Sequence, residues 1–107
     1  MSVKQAGMYR GGTAVMQVRF YSVGGSVIIP SASNVTLKIY RPDNTLFQTL
    51  SGADIHVESD GLTWAYVSIG ESEMTGAWVA EWLYNDPNSG KIYKVEMPFL
   101  VSDVAYR

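Results

Sequence analysis

The segment Ala53 to Asp60, ADIHVESD, holds the chain's one histidine, His56, among Asp54, Glu58, Ser59 and Asp60. Those residue types are the ingredients of a nucleophilic triad, in which imidazole takes a hydroxyl proton and a carboxylate orients the ring. The spacing argues against it, because no G-x-S-x-G elbow presents a serine. His56 is therefore expected as a strand or loop residue facing solvent. Asp54, Glu58, Asp60, Glu71 and Glu73 carry the oxygen donors that bind calcium, but their spacing fits no calcium loop, and a solvated acidic edge is expected instead. With no cysteine and a single histidine, thiol nucleophiles and disulfides are excluded, and zinc donor sets are hard to assemble. Gly11-Gly12 and Gly24-Gly25 are turn glycines, since neither resembles a phosphate cradle followed by a helix. No catalytic residue, metal or cofactor is assigned.

Glu81 is the other candidate for chemistry. It lies in GAWVAEWLYNDPNSGKIYKVEMPF, Gly76 to Phe99, where a lone buried carboxylate would have its pKa raised by desolvation and could act as an acid. Strand periodicity puts Trp78, Ala80, Trp82 and Tyr84 on one face and Val79, Glu81 and Leu83 on the other. The tryptophan face is the better core. The next strand then turns Tyr93, Val95, Met97, Phe99 and Val101 inward and Ile92, Lys94, Glu96, Pro98 and Leu100 outward. Of the registers that keep the two inward faces together, charge favours Trp82 opposite Tyr93 and Glu81 opposite Lys94; a slip of two residues would oppose Glu81 and Glu96. Glu81 is thus expected as an outer-face carboxylate paired with lysine, worth about 0.2–1 kcal/mol.

The same outer face carries Val79, Leu83, Ile92 and Leu100, a candidate protein-contact surface, to which the N-terminal arm adds Tyr9 and Arg10. Of the aromatic residues Trp64, Tyr66, Trp78, Trp82, Tyr84 and Tyr93, most are expected inward, where large rings supply core area. Tyr21 and Tyr40, on the faces opposite Phe20 and Ile39, are the candidates for exposed rings.

Strands must position all of these groups. Ala14 to Ser22 alternates with Ala14, Met16, Val18 and Phe20 on one face; Val27 to Ile29 is short; Val35 to Tyr40 alternates through Val35, Leu37 and Ile39. Pro42-Asp43-Asn44 is a β-turn, because proline presets φ and Asp or Asn tolerates the rest, so Thr45 to Leu50 returns as a hairpin. Ala53 to Val57, Leu62 to Ile69, Ala77 to Tyr84 and Ile92 to Val101 complete the set, and no window carries a helical period. About seven short strands without helices predict an all-β sandwich or small barrel, with an arm over residues 1–12, the sandwich over 13–102 and a tail over 103–107.

Composition narrows the function class. A chain of 107 residues is one domain with one core. The net charge of −2, with scattered Lys and Arg, gives no footprint for nucleic acid. No segment approaches the ~18 apolar residues of a membrane span, and MSVKQAGMYRGG lacks the apolar region of a signal peptide, so folding in the cytosol is expected.

The stretches GGTAVMQVRFYSVGG, PSASNVTLKIYRPDNTLFQTL, DGLTWAYVSI, TGAWVAEW and EMPFLV together resemble the small immunoglobulin-like domains of tailed-bacteriophage virion proteins. More distantly they are similar to macroglobulin-type and bacterial surface immunoglobulin-like domains. The resemblance implies an immunoglobulin-like antiparallel β-sandwich of about seven strands. It also implies a non-enzymatic structural role in a phage virion, as a capsid decoration, neck or tail accessory subunit. The protein would be synthesised in the host bacterial cytoplasm and bind capsid, neck or tail proteins in many copies, with neither nucleic acid nor membrane as partner. The alternative is a carbohydrate-binding or adhesion module of a phage fibre or bacterial surface protein, which a row of solvent-exposed aromatics would distinguish.

Overall fold

The computed structural model describes residues 7–103. Ten strands follow in order: β1 (Gly7–Tyr9), β2 (Thr13–Val18), β3 (Phe20–Tyr21), β4 (Val27–Ile28), β5 (Val35–Tyr40), β6 (Leu46–Ser51), β7 (His56–Val57), β8 (Thr63–Ser68), β9 (Gly76–Asn85) and β10 (Ile92–Ser102). They form a five-stranded sheet in the order β1-β10-β9-β5-β6, a three-stranded sheet β2-β8-β7 and a two-stranded ribbon β3-β4. The fold is all-β, as the strand pattern predicts. Among the described residues, helical content is confined to single 3-10 turns at Ala32–Asn34 and Gly52–Asp54.

Alternation decides which faces meet. In β5, Val35, Leu37 and Ile39 are fully buried while Thr36, Lys38 and Tyr40 are half-exposed, the period-two signature of a sheet with one covered face. In β9, Trp78, Ala80, Trp82 and Tyr84 are buried as expected. They meet Met16 and Val18 of β2 and Ala65 and Val67 of β8 in one apolar cluster between the two larger sheets. Burying rings of this size is the main favourable term in so small a domain.

More strands occur than the seven or so expected. The long first strand divides at Arg19 into β2 and β3. Gly7–Tyr9, placed by sequence in the arm, is a strand that pairs in parallel with β10, Met8 opposite Val101; the remaining pairings are antiparallel. The five-stranded sheet thus begins within residues 1–12, and residues 1–6 and 104–107 of the expected arm and tail lie outside the described residues.

The β9–β10 register differs from the one that charge favoured. Tyr93 lies opposite Tyr84, Val95 opposite Trp82 and Glu96 opposite Glu81, a slip of two residues. Turn chemistry is the reason. Pairing Glu81 with Lys94 would leave Pro87-Asn88 as a two-residue hairpin loop, whose favoured forms need a positive φ at the first position, which proline cannot adopt. The observed turn is longer: Asp86 N–H donates to Lys91 O at 2.9 Å and Gly90 N–H to Asp86 O at 2.9 Å. Asp86 also accepts from Asn88 N–H and Ser89 Oγ, and Gly90 takes the left-handed conformation at φ 72°.

Candidate functional site

The residues first considered for chemistry are dispersed. Asp60 accepts from Leu62 N–H and Arg19, which hold its carboxyl below the ordinary value. Glu73 is gripped by two nitrogens of Arg41, Nε at 2.8 Å and Nη2 at 3.3 Å. Glu58 accepts from the indole of Trp64. No group of three or more His, Asp or Glu residues that could hold a metal ion occurs among the described residues. His56 is exposed on β7, as expected, and stacks on Trp64.

Glu81 faces outward, yet its side chain is only 12% exposed. Its strand β9 is central, so neighbours cover it from both sides: Lys38 lies opposite on β5 and Glu96 opposite on β10. Its partner is Lys94, reached diagonally at 3.3 Å, while Lys94 also stands 3.8 Å from Glu96. Hydrogen bonding and attraction to Glu81, then the charge of Glu96, hold the Lys94 ammonium above its ordinary pKa. The group is an ion cluster in which Lys94 neutralises both Glu81 and the facing Glu96, with Tyr40 beside them, an arrangement that accounts for the outward carboxylate by charge pairing.

Around that charged centre, the outer face of the five-stranded sheet carries the expected contact residues in separate places. Leu83, half-buried, and Ile92, 66% exposed, come together at one end, where they line a depression of about 300 Å³ with Ser33, Asn34, Thr36 and Asn85. Val79 is half-buried near the middle, beside Tyr40, Glu81 and Glu96. Leu100 and Tyr9, both substantially exposed, share the opposite end. Arg10 is committed elsewhere: it pairs with Asp103 at 2.7 Å and donates to the Glu73 carbonyl at 3.2 Å, tying β1 to the chain end and to the loop before β9. Of the two rings expected in solvent, Tyr21 is exposed and Tyr40 half-buried.

The three-stranded sheet shows what size-based reasoning missed. Trp64 and Tyr66 point away from the core, because the alternation of β8 sends Thr63, Ala65 and Val67 inward. His56, Trp64 and Tyr66 form a row: the His56 and Trp64 rings stack at 4.2 Å and 17°, and Tyr66 meets Trp64 edge-on at 5.2 Å and 84°. Trp64 Nε1–H donates to Glu58 Oε2 at 2.9 Å. Val15, Gln17, Glu58 and Leu62 complete a shallow depression of about 400 Å³ with the two larger rings. The small, apolar, β-branched alternate positions of LTWAYVSI were the signal that could have turned the large rings outward.

No protein-family model matches this chain, and no curated protein matches it.

Proposed function

We propose that the protein is a non-enzymatic structural subunit of a tailed-phage virion, an immunoglobulin-like domain that adds binding surface to capsid, neck or tail proteins in many copies. The observation that carries the docking role is the outer face of the five-stranded sheet, which no other layer covers among the described residues. That face has apolar side chains at both ends, Leu83 with Ile92 and Leu100 with Tyr9, around the Glu81–Lys94–Glu96 charges. Apolar contacts flanking fixed charges give a partner both area and register. Strand order supports the immunoglobulin-like part: β2, β8 and β7 oppose β10, β9, β5 and β6, the division between sheets that immunoglobulin sandwiches use. The virion assignment rests on the motif resemblance in β2, β5, β8 and β9.

Sedimentation of a lysate from the native source, with fractions probed for this chain, tests the reading. Co-migration with virus-sized particles is expected, and migration as a free small protein would refute it. Within particles, Ile92→Asp with Leu100→Asp should abolish incorporation at unchanged melting temperature, since both side chains are exposed in the free chain. Retained incorporation would remove this face as the docking site.

A further inference from the structure

We propose that the outer face of the three-stranded sheet is a carbohydrate-binding platform, on which Trp64 takes the apolar face of a pyranose, Tyr66 bounds the sugar beside it, and Gln17 and Glu58 hydrogen-bond its hydroxyls. This site is on a different sheet from the docking face and does not depend on it.

Pre-organisation is the first ground. Trp78 and Trp82 are sealed in the core, whereas Trp64 stands half-exposed and is nonetheless held in place. Glu58 fixes its nitrogen, His56 stacks on one side, and Tyr66 abuts its edge. A ring already locked in its bound orientation loses little freedom when a ligand arrives.

The second ground is where the open side lies. Across the strands, Trp64 has His56 opposite it on β7 and Gln17 opposite it on β2. His56 does not line the depression, while Val15 and Gln17 of β2 do. The histidine therefore backs the indole, and the ligand side opens toward β2.

Complementarity then selects the ligand class. Val15, Leu62 and the two rings offer an apolar floor. Gln17 can donate and accept, and Glu58 has a second carboxylate oxygen beyond the one that receives the indole N–H. A gluco-configured pyranose has the matching pattern, with ring C–H groups on its faces and hydroxyls around its edge. An anionic ligand would meet the Glu58 charge. A quaternary ammonium would need rings converging into a cage, whereas these two are edge-to-face on a shallow sheet surface.

The experiment uses the full chain with two β-1,4-linked probes, cellohexaose and chitohexaose, followed by saturation-transfer NMR and by the change in tryptophan emission, for which Trp64 is the one of the three indoles that a surface ligand can touch. Saturation transfer to the sugar ring protons and a change in emission are expected with at least one probe. Tyr66→Ala and Gln17→Ala, both at exposed positions that should leave the fold intact, should each weaken binding, the first about tenfold or about 1.4 kcal/mol. Ile92→Asp on the opposite sheet should leave it unchanged. Absence of transfer with both probes would overturn the proposal, as would binding indifferent to Tyr66→Ala. An emission shift that depends on protein concentration alone would identify a second copy as the occupant, and quenching by choline with neither sugar active would identify a cation site; either also overturns it.

Discussion

Glu81 lies directly opposite Glu96 across β9 and β10, two like charges in a position that costs stability unless something neutralises them. Lys94 does so, at 3.3 Å from the first carboxylate and 3.8 Å from the second. Lys94→Met should therefore be destabilising, and the loss should be smaller in a Glu81→Gln background, where no buried charge is left unpaired. Glu96→Gln, in contrast, removes repulsion at an exposed site and should be neutral or slightly stabilising, within about 0.5 kcal/mol. A urea double-mutant cycle measures the coupling; additive single effects of Lys94→Met and Glu81→Gln would show that the cluster carries none.

That same pair marks where the sequence was and was not legible. Period-two alternation placed Val35, Leu37 and Ile39 and the Trp78 to Tyr84 face correctly, because a sheet with one covered face leaves no freedom about which residues go in. The register failed because a charge pair worth about 0.2–1 kcal/mol was weighed where Pro87 forbade the turn outright. Most of the large rings do go inward, as Trp78, Trp82 and Tyr84 show, and the alternation of β8, with Ala65 and Val67 inward, is what makes Trp64 and Tyr66 the exceptions. Strand β1 left no local trace, since three residues beginning with glycine carry no period, and its parallel pairing with β10 joins segments from the two ends of the chain.

The two core tryptophans should respond differently to the same substitution. Trp78 Nε1–H donates to the Met74 carbonyl at 3.0 Å, whereas Trp82 Nε1–H is buried without a hydrogen-bond partner among the described residues. Replacing tryptophan by phenylalanine shrinks the ring at both sites, but at Trp82 it also removes an unsatisfied donor whose burial costs about 1–3 kcal/mol. Trp82→Phe should thus be milder than Trp78→Phe by about that amount. Trp78→Ala should cost about 3–5 kcal/mol through the cavity it leaves. Chemical denaturation with unchanged m-values checks both, and an equal loss for the two phenylalanine variants would refute the donor argument.

Acid should unfold the protein partly through Glu73. Hydrogen bonds from Arg41 hold its carboxyl below the ordinary value of 4.5, outweighing partial burial, which acts in the opposite direction. In the folded chain Glu73 therefore binds fewer protons than in the unfolded chain just below that value. Stability from this group is complete above about pH 4.5 and is lost as pH falls through the lower folded value. Glu73→Gln should lower the melting temperature at neutral pH and flatten its fall on the acid side. Arg41→Met should do the same and also remove the guanidinium that stands 5.1 Å over the Phe47 ring. Parallel acid limbs for wild type and Glu73→Gln would show that other carboxylates, such as Asp43, Asp60 and Asp86, which are also held low, carry the effect.

Two glycines in the left-handed region separate backbone strain from crowding. Gly90, at φ 72° in the β9–β10 turn, has nothing within 4 Å of the position a Cβ would take, while Gly61, at φ 90°, would place that atom 2.7 Å from Val27 Cγ1 and 3.0 Å from the Ile28 carbonyl oxygen. An alanine at Gly90 meets only the conformational cost, about 1–2 kcal/mol. At Gly61 the same cost applies, and the β3–β4 ribbon must also move off the turn that joins β7 to β8, adding about 1–3 kcal/mol of overpacking. Val27 is exposed and can rotate aside, but the Ile28 carbonyl belongs to the backbone and cannot. Gly61→Ala should therefore be the more damaging of the two in urea unfolding. Equal losses would mean that the ribbon gives way freely and does not hold that turn in place.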